Sequence, residues 1–425
     1  MKLLRLGDTG SLVQLLQLGL TRAGFPAKTD GIYGQGTRRA VMDFQRARGL
    51  SPDGIAGSRT QLALQPFYTG YTTHIVRPGD SLYSIATMHN TTVDAIKNAN
   101  PGISIMNLPV GAVVTVPLAF NVVPTTIDYS SALIAYCVRG LAARYPFITT
   151  GEIGRSVMGK PLWFLRVGNG ENRVFYNASH HSNEWITTPV LLKFCEELCR
   201  AASVGGDIFG QSGAEILKAA SIYIAPAVNP DAIDLVTGAL SSGAYYDNAR
   251  RIAADYPQIP FPGGWKANIR GIDLNLQYPA GWEQARENKF ALGFTTPAPG
   301  DYVGRAPLSA QESRAMYDFT LSLDPALTLS YHTQGEVIYW KYLDYEPKDS
   351  RKIAETFGAV SGYAVEDTPY AAGFAGYKDW FIEHFYRPGY TIECGIGINP
   401  LAISQFDRIY SDNIGILTLG AIITA

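Results

Sequence analysis

The chain has 425 residues, 46% of them hydrophobic, and is long enough for two or three domains that each bury a core. Thirty-five basic and 37 acidic side chains give a formal net charge of −2, and no Lys/Arg cluster is long enough to follow a phosphate backbone. This charge balance argues against nucleic acid as a partner.

The cysteines and the two chain ends carry little functional signal. Four cysteines are too few for a disulfide framework, and Cys195 and Cys199 share one face of a predicted helix, so we expect buried thiols. Arg5 and Asp8 interrupt the first apolar residues, and no signal peptide is expected there. The apolar segment 414–423 is shorter than the roughly 20 residues that cross a bilayer, so we predict a core helix and no membrane span.

The first 65 residues contain a sequence repeat. Asp30-Gly31-Ile32-Tyr33-Gly34 and Asp53-Gly54-Ile55-Ala56-Gly57 each place glycine-rich turn residues before a helical pattern. We predict that Thr37 and Ser58 cap the two helices. Leucines at helical spacing predict a small all-α bundle with its own core: Leu12, Leu15, Leu16 and Leu20.

This repeat resembles the peptidoglycan-binding domain found on many bacterial wall hydrolases, in which Asp-Gly-x-x-Gly also occurs. The resemblance spans about residues 3 to 65, and we predict a first domain at residues 1–66. It implies that this domain binds cell-wall material.

The next segment has the pattern of a small strand-helix-helix-strand unit. His74-Ile75-Val76 predicts the first strand, and Pro78-Gly79-Asp80-Ser81 predicts a turn that ends in a helix cap. Asn98-Ala99-Asn100-Pro101 ends the second helix, and residues 111–117 predict the closing strand. We therefore predict a small α+β (βααβ) domain at residues 73–118.

This unit is similar to a LysM module. The similarity lies in Val76-Arg77-Pro78-Gly79-Asp80-Ser81-Leu82, in Asn98-Ala99-Asn100 and in Leu108-Pro109-Val110-Gly111. It implies binding to the N-acetylglucosamine-containing glycan of cell walls.

Residues 125–425 alternate β-rich runs with helical stretches, which predicts an α/β domain. Candidate catalytic groups fall at or just beyond the ends of apolar runs, where open α/β sheets form binding crevices. Thr188-Pro189 predicts the start of a helix. Four short apolar runs are typical of buried strands: 174–178, 221–225, 327–331 and 390–393.

The strongest chemical signal is a His-x-x-Glu motif. His181 and Glu184 lie three residues apart, and imidazole and carboxylate groups both suit Zn²⁺. A catalytic zinc needs three protein ligands and one open position. His332 follows the apolar run Leu329-Ser330-Tyr331, where a strand would deliver a third ligand. The short motif alone also fits a pair of surface polar residues, so further parts of a site are required.

Those further parts occur in the order seen in zinc carboxypeptidases. This resemblance covers residues 129 to 425 and implies an α/β catalytic domain with a mixed central sheet. It also implies one Zn²⁺ held by His181, Glu184 and His332, with Glu393 as the general base. The matching motifs are His181-Ser182-Asn183-Glu184-Trp185, Asn229-Pro230-Asp231, Gly271-Ile272-Asp273-Leu274-Asn275, Ser330-Tyr331-His332 and Tyr390-Thr391-Ile392-Glu393.

Two further catalytic roles have competing candidates. A cation is needed where negative charge develops on the carbonyl oxygen. Lys266 occupies the place where the family has Arg after Trp, and Arg270 is the nearby alternative. A tyrosine also commonly serves such sites; Tyr370 fits the expected distance before Asp379-Trp380, and Tyr377 is the alternative.

One departure from the family pattern bears on the substrate. Carboxypeptidases clamp the terminal carboxylate with Asn and Arg of Gly-x-Asp-x-Asn-Arg, but here Leu276 follows Asn275. Loss of the guanidinium removes the bidentate group best suited to a free carboxylate. An apolar side chain there can instead tolerate a peptide that continues, as an endopeptidase requires.

With the two wall-binding modules, the resemblance narrows to the γ-D-glutamyl-L-diamino acid endopeptidases, bacterial enzymes that cut peptidoglycan stem peptides between D-glutamate and diaminopimelate or lysine. The expected partner is peptidoglycan, with glycan bound through residues 1–118 and the stem peptide in the catalytic cleft. Candidate substrate-binding residues are Asn275, Arg270, Gln334 and Glu336.

Two alternatives remain at this point. A conventional zinc carboxypeptidase would release single C-terminal amino acids despite Leu276. A scaffold with an inactive peptidase domain would bind walls without hydrolysis. The expected location is the bacterial cell wall or a spore, reached by a route that the sequence leaves open. The preferred diamino acid, the stem length and the oligomeric state are open as well.

Overall fold

The computed structural model describes residues 2–104 and 108–424, so Met1 of the predicted first domain, residues 105–107 of the predicted LysM unit and Ala425 lie outside the described residues. The chain divides into two units. One comprises the residues up to Asp128 together with Ala132–Thr149, and the other comprises Tyr129–Ser131 and Thr150–Ala425. The boundaries at residues 66, 73, 118 and 125 stay predictions.

The first unit begins with the predicted all-α bundle. Its helices are α1 (Ser11–Arg22), α2 (Gln35–Ala47) and α3 (Ser58–Thr69). Burial of apolar side chains from all three helices forms the core, as the helical spacing predicts: Val13, Leu16, Leu20, Val41, Phe44 and Leu64.

The predicted helix caps in this bundle are wrong. Helix α2 follows Gly34 and α3 follows Gly57, and neither cap residue makes a side-chain hydrogen bond. Ser58 is the first residue of its helix. Thr37 lies inside α2, where its buried hydroxyl accepts a hydrogen bond from Gln17 Nε2 at 3.0 Å. The hydroxyl therefore serves a buried polar network instead of a helix end.

Two buried glutamines hold the sequence repeat together. Gln17 accepts from the backbone amide of Gly31 at 2.9 Å and donates to Asp30 and to the carbonyl of Ile32. Gln45 repeats these contacts in the second copy; its partners are Gly54, Asp53, Ile55 and Thr60. Each Asp-Gly turn is thus fixed by one glutamine from the preceding helix.

The predicted βααβ unit follows. Strand β1 (Tyr71–Ile75) pairs antiparallel with β2 (Val113–Pro117), and between them lie α4 (Leu82–Met88) and α5 (Val93–Ala99). Ser81 caps α4 in a capping box with Ser84, which confirms the predicted cap. After α5, the side chain of Asn100 bonds to the backbone of Ile96 and Thr115.

Helix α6 (Ser131–Arg144) packs in this first unit from Ala132 onward. The rings of Tyr136 and Tyr68 lie 5.1 Å apart, and Arg144 donates to the carbonyl of Leu118 at 2.8 Å. A side chain at Gly140 would overlap the carbonyl oxygen of Thr69. A residue without Cβ therefore allows this close approach.

The second unit is built on a mixed sheet, as predicted, and this sheet has eight strands. Four neighbouring strands run parallel in the order β12, β9, β5 and β8, and strands that pair antiparallel flank them. The full order is β11-β10-β12-β9-β5-β8-β4-β3, formed by β3 (Thr149–Arg155), β4 (Pro161–Val167), β5 (Asn172–Ala178), β8 (Ala220–Ala225), β9 (Leu327–His332), β10 (Val337–Tyr339), β11 (Ala364–Glu366) and β12 (Gly389–Glu393).

Helices and short elements complete this unit. The four apolar runs predicted as strands correspond to β5, β8, β9 and β12, and the helix predicted at Thr188 begins at Thr187. The remaining elements are α7 (Thr187–Val204), a small hairpin of β6 (Asp207–Ile208) and β7 (Gln211–Ser212), α8 (Gly213–Ala219), α9 (Pro230–Val236), α10 (Ala244–Ala253), α11 (Trp282–Ala291), α12 (Gln311–Leu323), α13 (Ser350–Ser361), α14 (Tyr377–Phe385) and α15 (Phe406–Ile422).

The C-terminal helix α15 buries much of the predicted apolar segment. In the described part of the chain, no helix combines the length and the apolar content needed to cross a bilayer. All four cysteines are free and buried.

Candidate metal centre and active site

Three parallel strands deliver the main polar groups to one edge of the sheet. Strand β5 ends at Ala178, just before His181, while β9 ends at His332 and β12 ends at Glu393. In the register of β9 and β12, His332 lies opposite Glu393. The carboxyl ends of neighbouring parallel strands meet at one edge, which is where open α/β sheets form their binding crevices.

Two imidazoles converge on one carboxylate at this edge. His181 Nδ1 lies 2.9 Å from one oxygen of Glu184, and His332 Nδ1 lies 2.8 Å from the other. All three side chains are buried, and their potential ligand atoms lie within 4.8 Å of one another. A short 3-10 turn (Ser182–Glu184) brings Glu184 back towards His181.

The surroundings of His181 make this cluster suitable for a cation. His181 Nε2 lies 3.1 Å from Asp273 Oδ1. Because an ionised carboxylate can only accept a hydrogen bond, the imidazole must carry its proton on Nε2. In the neutral imidazole, Nδ1 then presents a lone pair to the carboxylate of Glu184. A proton or a divalent cation resolves this repulsion, and two imidazoles with one carboxylate are a common ligand set of catalytic zinc.

The pKa shifts of these side chains also indicate that the cluster suits a cation. Burial lowers the pKa of His181, but Glu184 and Asp273 outweigh that effect and raise the pKa to about 9. Burial raises the pKa of the Glu184 carboxyl, while His181 and His332 lower it by more, so that this pKa lies far below its ordinary value. The site thus strongly favours positive charge between its ligands.

Glu393 and Lys266 line the same cleft as His181 and His332. Burial, with a contribution from Glu184, raises the pKa of Glu393 to about 7 against the lowering effect of His332 and Lys266. Burial lowers the pKa of Lys266, but the carboxylates around it raise it by more, so Lys266 is a cation. The cleft therefore contains a carboxylate suited to proton transfer near neutral pH and a fixed positive charge.

Asn275 and Leu276 also line the cleft. Asn275 Oδ1 accepts from the backbone amide of Tyr377 at 3.0 Å, which fixes the orientation of its side chain. Leu276 is 9% exposed and presents an apolar surface at the position where the family motif has arginine.

Three sequence-predicted residues lie elsewhere in the described structure. Arg270 lines a separate surface depression with Arg251 and Arg305. Gln334 is exposed, and Glu336 forms an ion pair with Arg408 at 2.7 Å. The described lining of the cleft includes Lys266 but does not include Arg270, Gln334 or Glu336.

The two candidate tyrosines differ in position. Tyr370 is 66% exposed on a short 3-10 turn, and its neighbour Pro369 lines the cleft. Tyr377 is fully buried, and its hydroxyl lies 3.0 Å from Thr320 Oγ1. Tyr370 is thus at the rim of the cleft, whereas Tyr377 belongs to the core beneath it.

Sequence reasoning gave no role to three residues that the structure brings to the site. Asp273 contacts His181, and its presence in the Gly-x-Asp-x-Asn motif was an available signal. Lys378 and Asp379 line the cleft as a buried ion pair at 2.7 Å. Asp379 entered the sequence analysis only as a landmark for the candidate tyrosine, and no role was predicted for it or for Lys378.

Sequence profiles of three families match this chain. The zinc carboxypeptidase profile matches residues 134–414, the peptidoglycan binding domain profile matches residues 9–64 and the LysM domain profile matches residues 74–117. These are the three families that the motifs predict.

Two bacterial proteins are similar over most of their length. One is named gamma-D-glutamyl-L-diamino acid endopeptidase 1, from Lysinibacillus sphaericus, with 42% identity over 69% of this chain and 72% of that protein. The other is the uncharacterized protein YqgT of Bacillus subtilis strain 168, with 40% identity over 68% of this chain and 76% of that protein.

Solved structures show the same fold at low identity. Carboxypeptidase A from Helicoverpa armigera matches with a TM-score of 0.55 and 17% identity, over 92% of this chain and 88% of that chain. Bovine thrombin-activatable fibrinolysis inhibitor matches with a TM-score of 0.52 and 17% identity, over 70% of this chain and 97% of that chain. Since the family profile also spans residues 134–414, around the His/Glu/His cluster, this protein belongs to the zinc carboxypeptidase family.

Proposed function

We propose that this protein is a zinc peptidase that hydrolyses the amide bond between γ-D-glutamate and the diamino acid, diaminopimelate or lysine, of peptidoglycan stem peptides. The observation that carries the proposal is a cleft lined by His181, His332, Glu393 and Leu276 in a chain that also matches two wall-binding families. The 42% identity to an endopeptidase named for that bond adds support.

In this proposal His181, Glu184 and His332 hold one Zn²⁺. A bound zinc ion supplies Lewis acidity and lowers the pKa of water to about 7. Asp273 keeps the proton of His181 on Nε2, so that Nδ1 offers its lone pair to the metal. The fit of these side chains to zinc rests on the two Nδ1 atoms that face one carboxylate.

Glu393 acts as the general base. It takes a proton from the attacking water while the water oxygen bonds to the amide carbonyl carbon. The same proton then passes to the leaving amine of the diamino acid as the C–N bond breaks. A carboxyl with a pKa of about 7 can perform both transfers near neutral pH.

Lys266 stabilises the negative charge that develops on the carbonyl oxygen. Its ammonium is held in the cleft among carboxylates, and their attraction outweighs the cost of burial. A preorganised charge of this kind acts most strongly in the transition state. Tyr370 at the rim of the cleft is the second candidate for contact with the reacting groups.

Leu276 favours an endopeptidase over an enzyme that requires a free terminal carboxylate. Its side chain has no group that can pair with a carboxylate, whereas a guanidinium forms two parallel hydrogen bonds with one. Asn275 remains available in the cleft to bind the substrate backbone. A stem peptide that continues beyond the diamino acid can then be accommodated.

The wall-binding modules tether the hydrolase to its substrate. Glycan binding through residues 1–118 raises the local concentration of stem peptides without altering the active site. We therefore propose that the enzyme acts at the bacterial cell wall or at spores, and the matches to two wall-binding families support the cell wall.

The test is product analysis with L-Ala-γ-D-Glu-meso-diaminopimelate-D-Ala and the corresponding tripeptide. The zinc-loaded enzyme is expected to release L-Ala-D-Glu, as detected by mass spectrometry. Release of D-Ala alone would identify a conventional carboxypeptidase and overturn the proposal, and the absence of hydrolysis would identify a scaffold.

A pair of glutamate substitutions provides the control. Glu393→Gln removes the proposed base and is expected to lower kcat by at least about 100-fold, within the contribution typical of general-base catalysis. Glu355→Gln changes an exposed carboxylate on α13 and is expected to leave kcat within about twofold of the unmodified enzyme. Equal activity of the two variants would contradict the role of Glu393.

A further inference from the structure

A surface depression in the second unit lies outside the catalytic cleft and is rich in positive charge. Its volume is about 950 Å³, which is large enough for a peptide of several residues. Arg251, Arg270 and Arg305 line it, and Asp255 is the one acidic residue among its described lining. We call it the arginine depression.

The three arginines are available to a ligand. All three are exposed, and none of them forms an ion pair with any residue of 2–104 or 108–424. Arg251 donates to Asn248 Oδ1 at 2.8 Å, a contact that leaves most of the five guanidinium donors unused. The backbone amide of Arg270 donates to Asn268 Oδ1 at 3.0 Å, which fixes the turn that carries this arginine. A concave surface with an excess of one charge attracts ligands of the opposite charge.

The arginine depression and the catalytic cleft share a wall. Asp273 and Asp301 line the cleft, whereas the adjacent residues Ile272 and Tyr302 line the depression. A hydrogen bond from the backbone amide of Asp273 to the carbonyl of Tyr302, at 2.9 Å, joins the two segments. A ligand in the depression is therefore separated from the cleft by a single layer of backbone.

The charges of the arginine depression match those of a peptidoglycan stem peptide. A wall-linked tripeptide stem that ends in diaminopimelate carries one carboxylate on D-glutamate, two on diaminopimelate and one ammonium. Three guanidinium groups and the carboxylate of Asp255 can give each of these charges an opposite partner. Guanidinium groups also bind carboxylates through two parallel hydrogen bonds. A phosphodiester polymer carries negative charge alone and would leave Asp255 without a partner.

We propose that the arginine depression binds a second, uncleaved stem peptide of the same peptidoglycan while the cleft holds the stem that is cut. This inference rests on the proposed function for the identity of its ligand. Arg251, Arg270 and Arg305 bind the carboxylates of the second stem, and Asp255 binds its ammonium. The contact increases affinity for polymer that carries many stems and takes no part in the reaction.

The test measures binding of the zinc-loaded full chain to glycan strands with and without stem peptides, both freed of phosphate-containing polymers. The protein carries Glu393→Gln so that the stems stay intact. In this background, Arg251→Gln combined with Arg305→Gln is expected to weaken binding to stem-bearing strands by at least about tenfold, because two charged contacts are lost. Binding to stem-free strands is expected to stay within about twofold. The ratio of the two dissociation constants from one preparation does not depend on how much of the variant is folded.

A second pair of arginines provides the matched control. Arg250 on α10 and Arg314 on α12 are exposed and are not among the described residues that line the depression. Arg250→Gln combined with Arg314→Gln removes the same charge and is expected to keep the ratio of the background protein. An equal loss in both double variants would mean that net charge alone attracts the polymer, and it would overturn the inference.

Competition then identifies the ligand. Saturating N-acetyl-L-Ala-γ-D-Glu-meso-diaminopimelate is expected to abolish the difference between the Arg251/Arg305 double variant and its background on stem-bearing strands. Poly(glycerol phosphate) at the same charge concentration is expected to preserve that difference. If the phosphate polymer abolishes it, or if the double variant loses as much affinity for stem-free strands, the depression binds another anion and the inference is overturned. These are binding results, whereas the proposed function depends on the cleavage product, so either can fail without the other.

Discussion

At the scale of single residues, the contact between His181 and Asp273 determines which nitrogen of the imidazole is free to bind a metal. Asp273→Asn can supply an amide hydrogen to Nε2 and thereby favour the wrong tautomer. Loss of such an outer contact typically lowers metal affinity by about 10- to 100-fold. We expect this decrease for Zn²⁺, measured by competition with a chromogenic chelator.

The matched control is Asp318→Asn, which changes an exposed carboxylate on α12. Its zinc affinity is expected to equal that of the unmodified protein. An unchanged affinity in Asp273→Asn would show that the tautomer of His181 is fixed without Asp273 and would refute the argument.

Some contacts of single residues in the site could be predicted from the sequence, and others could not. The order of the motifs predicted that His181, Glu184 and His332 would come together, because each follows or ends a buried strand. His180 is equally a histidine, yet its Nε2 contacts the hydroxyl of Tyr278. The pairing of Lys378 with the carbonyl of Lys341 depends on how α14 meets the end of β10, which no local pattern encodes.

At the scale of elements, each Asp-Gly turn of the first bundle depends on one buried glutamine. Gln17→Leu would leave the amide of Gly31 without its partner, and a buried unpaired group costs about 1 to 3 kcal/mol. We expect amide hydrogen exchange in the turn at residues 30–34 to accelerate by about 30-fold, which corresponds to about 2 kcal/mol. Peptide-resolved hydrogen exchange of the full chain measures this change.

The second copy of the repeat allows the same substitution to be tested at Gln45. Gln45→Leu should accelerate exchange at residues 53–57 by a similar factor, because Gln45 accepts from Gly54 at 3.0 Å as Gln17 does from Gly31. Gln35→Leu changes an exposed residue of α2 and should leave both turns unchanged. Equal exchange in all three variants would mean that the turns are fixed by their backbone alone.

The helices and strands were largely predictable from the sequence. The buried side-chain hydrogen bonds that hold them together were not. Apolar runs marked the four central strands because strands buried on both faces need continuous hydrophobic residues. Thr37 was assigned to a helix cap because threonine commonly occupies such positions, but its hydroxyl meets Gln17, 20 residues earlier in the chain. Contacts across that separation are fixed by helix packing and leave no signature in a short window.

At the scale of the whole molecule, two families of wall-binding domain and one hydrolase family share a single chain. We propose that this combination separates attachment from catalysis, with glycan contacts determining where the enzyme stays and the cleft determining which bond is cut. Linked binding can increase overall avidity by about 10²- to 10⁴-fold when the geometry allows both contacts. The increase in avidity should therefore appear with insoluble walls as substrate and be absent with small soluble peptides.

This separation predicts different responses to a soluble glycan competitor. Saturating N-acetylglucosamine oligomers should slow hydrolysis of insoluble peptidoglycan by at least about tenfold, because they displace the tether and remove the avidity gain. Cleavage of the soluble tripeptide should stay within about twofold. The intact chain is preferable to a deletion of residues 1–118, because α6 packs in the same unit as the deleted segment. Equal inhibition of both substrates would mean that the oligomer acts in the cleft, and no inhibition of either would mean that the tether contributes nothing.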